Sequence, residues 1–307
     1  MSHLTYPEAL VVGLLQGVSE LFPVSSLGHS VLLPAVIGGR WQRDLDVSRP
    51  ESPYLAFVVG LHVATAIALL IFFWRDWVRI VGGFLTSIRD RRVRTADQRL
   101  AWLLILATIP VGLTGLLLEH TFRTVLGKPW PAASFLVANG VVLAVGERLR
   151  RAAPQRVAVT AGAGGPDPDD LPDDVASDRR LSRLGFGEGI LIGTAQILAL
   201  LPGISRSGIT MVAGLVRGLS HEDAARFSFL LATPVIFAAG ALKVPDLTGH
   251  LGAGIHGQVV VGSLASGVAA YLSVRFLTRY FETRTLTPFA IYCVAAGAAS
   301  MLVLGLR

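Results

Sequence analysis

A single cysteine, Cys293, stands among 307 residues, which excludes both a disulfide framework and a cysteine-based metal site. Charge is also scarce: Asp, Glu, Lys and Arg make up only 16% of the chain. The N-terminal residues lack the basic n-region and small-residue cleavage site of a signal peptide. Hydrophobic residues take up the room, at 52% with a mean hydropathy of +0.59. That composition excludes an ordinary soluble domain and sets the class as membrane protein.

Six stretches are apolar and long enough to cross a hydrocarbon core, which takes roughly 20 residues: 54–74, 100–118, 131–145, 227–242, 259–274 and 286–304. Arginines set their orientation. Arg75, Arg79, Arg89, Arg91, Arg92, Arg94 and Arg99 follow the first span, and Arg148, Arg150, Arg151, Arg156, Arg179, Arg180 and Arg183 follow the third. Both loops are expected to be cytoplasmic, as is the one carrying Arg275, Arg279 and Arg284, which leaves both termini outside. The formal charge of +6 therefore reads as positive-inside anchoring and not as a nucleic-acid surface. Residues 152–178, with the run GAGGPDPDDLPDD, read as a disordered polar linker.

Two further apolar segments, 10–37 and 184–215, carry Pro, Gly and hydroxyls at their centres. At a constant offset of 180 positions Glu8 matches Glu188, Gly13 matches Gly193, Gln16 matches Gln196, Leu21 matches Leu201, Ser25 matches Ser205 and Gly28 matches Gly208. An unwound backbone at membrane depth is tolerated only where protein or water covers it, so each segment reads as a re-entrant hairpin. The expected fold is all-α and integral to the membrane: six transmembrane helices and two re-entrant hairpins in an inverted-topology repeat. Its first repeat is 1–150, its linker 151–183 and its second repeat 184–307. Interrupted helices at corresponding positions of two halves are the sequence pointer to a binding site inside a membrane.

The first interruption holds Gln16, Glu20, Ser25, Ser26, Gly28 and His29. Gln16 and Glu20, four apart, share a helix face. Alone, Glu20 reads as an interfacial or capping carboxylate and His29 as a hydrogen-bonded core histidine. Together, and in a segment where ionisable groups are expensive, they read as functional. The second interruption, PGISRSGIT, sets Arg206 between Ser205 and Ser207, with Gly203, Gly208 and Thr210 around it. A guanidinium fork, hydroxyls and a helix N-terminus compose a phosphate cradle. A buried Glu20–Arg206 ion pair tying the halves together is the structural alternative, and a resting pair can open for a phosphate. If the loops meet, a nucleophile, an acid–base group and a phosphate clamp share one pocket, which points to phosphoryl transfer to water from a lipid-compatible substrate.

The segments QGVSELFPVSSLGHS and LPGISRSGIT resemble the two signatures of the undecaprenyl-diphosphate phosphatase, or bacitracin-resistance, family, and the likeness runs over nearly the whole chain. The resemblance implies hydrolysis of undecaprenyl diphosphate to the monophosphate and phosphate in the bacterial inner membrane. That reaction recycles the lipid carrier for cell-wall synthesis and gives bacitracin resistance; the arginine count, which puts the mouth of the first hairpin and the loop 41–53 outside, opens the expected site to the periplasm. It implies that Ser26 or His29 attacks or relays a proton, that Arg206 holds the diphosphate, and that Glu20 assists the base or a divalent cation. Gln16, Ser25, Gly28, Gly203, Ser205, Ser207 and Thr210 are then substrate-binding. Mg²⁺ or Ca²⁺ is the implied cofactor. Gln16 stands where many members carry Glu, leaving one fewer charge for a metal, and the acidic insertion around 167–178 also departs from the family. A polyprenyl-phosphate transporter or flippase is the alternative, because broken inverted repeats also serve alternating access. The acid-phosphatase signature fails, since Val212 stands where Ser205–Arg206 would require His. Small-residue runs such as GSLASGVAA allow close helix packing, within one chain or in a homodimer.

Overall fold

In a computed structural model of the chain, residues 4–45, 53–152, 173–248 and 254–306 are described. Among them every regular element is helical: α1 (Tyr6–Ser19), α2 (Ser26–Ile37), α3 (Gly39–Asp44), α4 (Pro53–Phe72), α5 (Trp74–Asp90), α6 (Ala96–Thr121), α7 (Pro129–Ala152), α8 (Asp173–Ser182), α9 (Phe186–Ala195), α10 (Arg206–Val216), α11 (His221–Thr248), α12 (His256–Thr283) and α13 (Thr287–Gly305). Five helices within this set, α6, α7, α11, α12 and α13, contain stretches long and apolar enough to span a membrane. Counting α4 with α5 brings the number to six, in the positions expected from hydropathy.

The expected loop after the first span is instead α5, set at 85° to the apolar helix before it. Its sequence accounts for this. Ile80, Gly83 and Ser87 are buried while Trp74, Val78, Val81, Leu85 and Ile88 form an exposed apolar stripe with arginines beside it. An amphipathic stripe of this kind beside arginines is the pattern of a helix at a membrane interface.

The linker expectation needs a correction at its C-terminal end. Residues 153–172 lie outside the described set, but Asp173–Ser182 form α8. Asp178, buried on α8, accepts from Arg226 Nε at 2.9 Å and Arg79 Nη2 at 2.7 Å. Arg226 Nη2 also donates to Asp76 at 2.8 Å. Ser177 and Arg180 bond Asp223 at 2.6 and 2.8 Å. A polar segment that looks solvated in sequence is thus fastened by charge pairs to α5 and α11.

The two interrupted segments both appear as broken helices. α1 and α2 are separated by residues 20–25, and α9 continues as a 3₁₀ turn, Gln196–Leu200, before the chain unwinds ahead of α10. Their starts are built alike: Glu8 closes a capping box on Thr5, and Glu188 reaches back to the backbone N–H of Gly185. Each first helix packs on a span from the other half, α1 on α12 and α9 on α6. The approach is close enough that a Cβ on Gly13 would strike the Gly262 carbonyl, and one on Gly193 the Ala107 carbonyl. Backbones meeting at small residues is how helices associate where lipid offers no hydrophobic drive.

Candidate active site

Ser25 and Ser205, the matched pair at the 180-residue offset, are the N-caps of α2 and α10, their hydroxyls accepting from Gly28 N at 3.2 Å and Gly208 N at 3.1 Å. A capped start leaves the other first-turn N–H groups, and the positive end of the helix dipole, directed out of the helix. The loops interlock. Ser25 Oγ also accepts from Gly203 N at 3.2 Å, and Ser207 donates to the Phe22 carbonyl at 3.1 Å. Gly203 sits at φ +115°, where an L side chain is strained, and a Cβ on Gly28 would lie 2.8 Å from Gly203 Cα. Only glycine permits this approach.

Glu20, at the end of α1, stands at the centre. Its Oε1 accepts from Arg206 Nη2 at 2.9 Å, so the expected pair between the halves is made. Its Oε2 accepts from Ser26 Oγ at 2.5 Å and from Gln16 Nε2 at 3.1 Å. The pair is buried, with side chains 7% and 12% exposed. Burying two charges costs several kcal/mol per ion unless geometry and further hydrogen bonds offset it. One donor is left over: Arg206 Nη1 is buried and has no hydrogen-bond partner among the described residues. A buried guanidinium donor without a partner, beside a hydroxyl already hydrogen-bonded to a carboxylate, suits an anion that enters between them.

His29, expected beside Ser26 and Arg206, has other partners. Its Nδ1 lies 2.7 Å from the Ser25 carbonyl and its Nε2 2.8 Å from the Tyr292 hydroxyl. Thr210 returns its hydroxyl to the Arg206 carbonyl at 2.7 Å, an intrahelical bond. Gln16, Glu20, Ser26 and Arg206 are therefore brought together, whereas Ser25, Gly28, Gly203, Ser205 and Ser207 hold the two loops against each other.

Three contributors escape a reading of the sequence. His62, on α4, lies 3.2 Å from Gln16 Nε2 and 3.5 Å from Glu20 Oε2, while its Nδ1 bonds the Val58 carbonyl at 2.9 Å. A histidine within an apolar span is itself a functional signal, so this one could have been found. Asn139, on α7, braces both loops by donating to the Pro23 carbonyl and accepting from Ser205 N, each at 3.0 Å. Tyr292, an aromatic in an apolar helix, carries no signal.

The donor set does not fit a resident divalent cation. Glu20, a single carboxylate, already serves Arg206, Ser26 and Gln16, Gln16 removes a second charge, and no cluster of three His, Cys, Asp or Glu side chains among the described residues could hold a metal. Mg²⁺ and Ca²⁺ want several oxygen ligands.

Fold and site together define an all-α integral membrane protein whose polar centre forms where two broken helices meet. The chain belongs to the family described as bacitracin resistance protein BacA, whose model matches residues 9–299. It is 68% identical to the undecaprenyl-diphosphatase of Mycolicibacterium paratuberculosis over 307 residues, covering 100% of this chain and 99% of the relative. Identity to the Mycobacterium avium undecaprenyl-diphosphatase is 67% at the same coverage. Undecaprenyl-diphosphatase 2 of Frankia alni is 56% identical, covering 97% of each.

Proposed function

We propose that this chain hydrolyses undecaprenyl diphosphate to undecaprenyl phosphate and inorganic phosphate, with Ser26 as nucleophile. The observation that carries this reading is the Ser26–Glu20–Arg206 chain ending in a free guanidinium donor. Arg206 takes up a terminal phosphate oxygen. The Ser26 proton passes to Glu20 as Oγ bonds the terminal phosphorus, and the bond to the bridging oxygen breaks, releasing undecaprenyl phosphate. Glu20 gives that proton up to solvent as the lipid leaves, takes a proton from the attacking water and passes it to the departing Ser26 Oγ, which restores the serine hydroxyl and releases hydrogen phosphate. The lipid monophosphate leaves as a stabilised anion, so no separate proton donor is needed at the bridge. The chain's contribution is positioning and charge stabilisation.

Mg²⁺ or Ca²⁺ is assigned to the substrate's phosphates, entering as a complex with the diphosphate. Gln16 supports Glu20, and the first-turn N–H groups around Gly28 and Gly208 face the phosphates. The halves, 1–150 and 184–307, run in opposite orientation in the inner membrane, joined through the cytoplasmic linker 151–183, with the site open to the periplasm; the matched caps and crosswise packing support the pairing of the halves, and the arginine count supports their orientation. Released carrier returns to cell-wall synthesis, and removal of the diphosphate gives bacitracin resistance. The small-residue faces also allow a homodimer.

The test is phosphate release from undecaprenyl diphosphate by purified protein in detergent, with Mg²⁺ or Ca²⁺ and with chelator, beside Ser26→Ala and Arg206→Ala. Loss on the order of a thousandfold for Ser26→Ala is expected. An active Ser26→Ala protein would overturn the nucleophile assignment. No release by wild-type protein that still binds the lipid would turn the reading to transport.

A further inference from the structure

The partners of His29 make it a bridge. The Ser25 carbonyl can only accept, so Nδ1 carries the proton that bonds it at 2.7 Å. In a neutral imidazole Nε2 is then the acceptor, and the Tyr292 hydroxyl donates to it at 2.8 Å. The rings lie nearly parallel, 5.8 Å between centroids and 10° apart, so packing fixes the same orientation.

What this bridge holds is a strained residue. Ser25 has φ +69°, a conformation uncommon for a side chain other than glycine. Such strain persists only where the surroundings over-determine it. Gly28 N and Gly203 N bind the Ser25 hydroxyl, and His29 binds its carbonyl through both Nδ1 and the backbone N–H, the latter at 3.2 Å. That carbonyl belongs to the planar peptide joining Ser25 to Ser26. Fixing it fixes where Ser26 begins, and Ser26 is the residue that donates to Glu20.

We propose that Tyr292 is a positioning residue for the phosphatase reaction. From α13 it orients His29, His29 holds the Ser25 carbonyl, and the shared peptide places Ser26 Oγ on Glu20. This rests on the reading in which Ser26 attacks phosphorus. Tyr292 touches none of the reacting atoms, so its effect falls on kcat and spares KM.

Tyr292→Phe keeps the ring and removes the donor. Phosphate release by this variant in detergent is expected to lose roughly five- to tenfold in kcat, the scale of one hydrogen bond, with KM within about twofold. Histidine ¹⁵N spectra, assigned with His29→Asn, are expected to show His29 as the Nδ1–H tautomer in wild-type protein and a displaced Nε2 resonance in Tyr292→Phe. A tyrosine that only packs on the imidazole would leave that resonance in place, and one whose hydrogen bond serves stability alone would displace it at wild-type kcat, which overturns the positioning role. If Tyr292→Phe folds poorly, Tyr292→Leu carries the same two readouts. Wild-type kcat together with an unmoved Nε2 signal overturns the positioning role. Absence of phosphate release by wild-type protein overturns the underlying reaction, which separates the two failures.

Discussion

The Glu20–Arg206 pair joins stability and activity in one contact, and a double-mutant cycle separates them. Glu20→Gln leaves a guanidinium buried at 12% exposure without a counter-charge, and Arg206→Gln leaves a carboxylate at 7% exposure. Breaking a buried pair from one side costs about 3–5 kcal/mol, mostly the penalty of the charge left behind. With both replaced by amides no charge remains, so the double variant should be more stable than the two single losses add up to, by about 3 kcal/mol. Activity should not recover with it. The phosphate donor is gone from both Arg206 variants and the base from both Glu20 variants, and loss of one such donor alone costs about 10²–10³ in rate. The assay is denaturant titration in a fixed mixed micelle for the four proteins, each followed by phosphate release. Additive stabilities would refute the buried-pair reasoning. A double variant above a tenth of wild-type activity would refute the catalytic one.

Three other perturbations follow from packing and hydrogen bonding. Gly193→Leu places a side chain into the Ala107 carbonyl and is expected to destabilise by about 3 kcal/mol or more, read as early loss of monodisperse protein on heating in detergent. Asn139→Leu strands the Ser205 N–H and leaves the Pro23 carbonyl only the weak Cys293 thiol donor at 3.7 Å; at about 1–3 kcal/mol for an unsatisfied group it should lower stability by about that much and reduce kcat, because both loops lose their brace. Asp178→Ala removes the carboxylate that Arg79 and Arg226 share. Limited proteolysis should then cut near α8 about tenfold faster or more, while phosphate release stays within twofold of wild type.

Hydropathy locates the spans correctly because lipid imposes one rule, length in apolar residues, that local sequence must satisfy. The broken helices are legible for the same reason, since clusters of Pro, Ser and Gly inside an apolar segment have no bland purpose in lipid; here Pro23, Ser25 and Gly28 mark the first break and Pro202, Gly203 and Ser205 the second. The Glu20–Arg206 contact follows from charge: each needs a partner at that depth. α5 reads as a loop because its arginines dominate the count, although its apolar stripe has helical spacing. α8 reads as linker because the composition of 173–182 is polar, and its order comes from distant ion pairs. His62 and Tyr292 depend on register between helices, 46 residues from Gln16 and 263 from His29. No local pattern carries that distance, so neither can be assigned a partner from sequence.

The central ion pair also sets a timetable for biosynthesis. Glu20 and Arg206 are 186 residues apart, and a ribosome adding about 5–20 residues per second needs roughly 10–40 s to cover that interval. Throughout it Glu20 has only Gln16, Ser26 and His62 of its own half as partners and lacks the guanidinium, and an acidic side chain within an apolar segment costs about 2.5–3.5 kcal/mol on insertion scales. The insertion machinery therefore has to shelter α1 until α10 arrives.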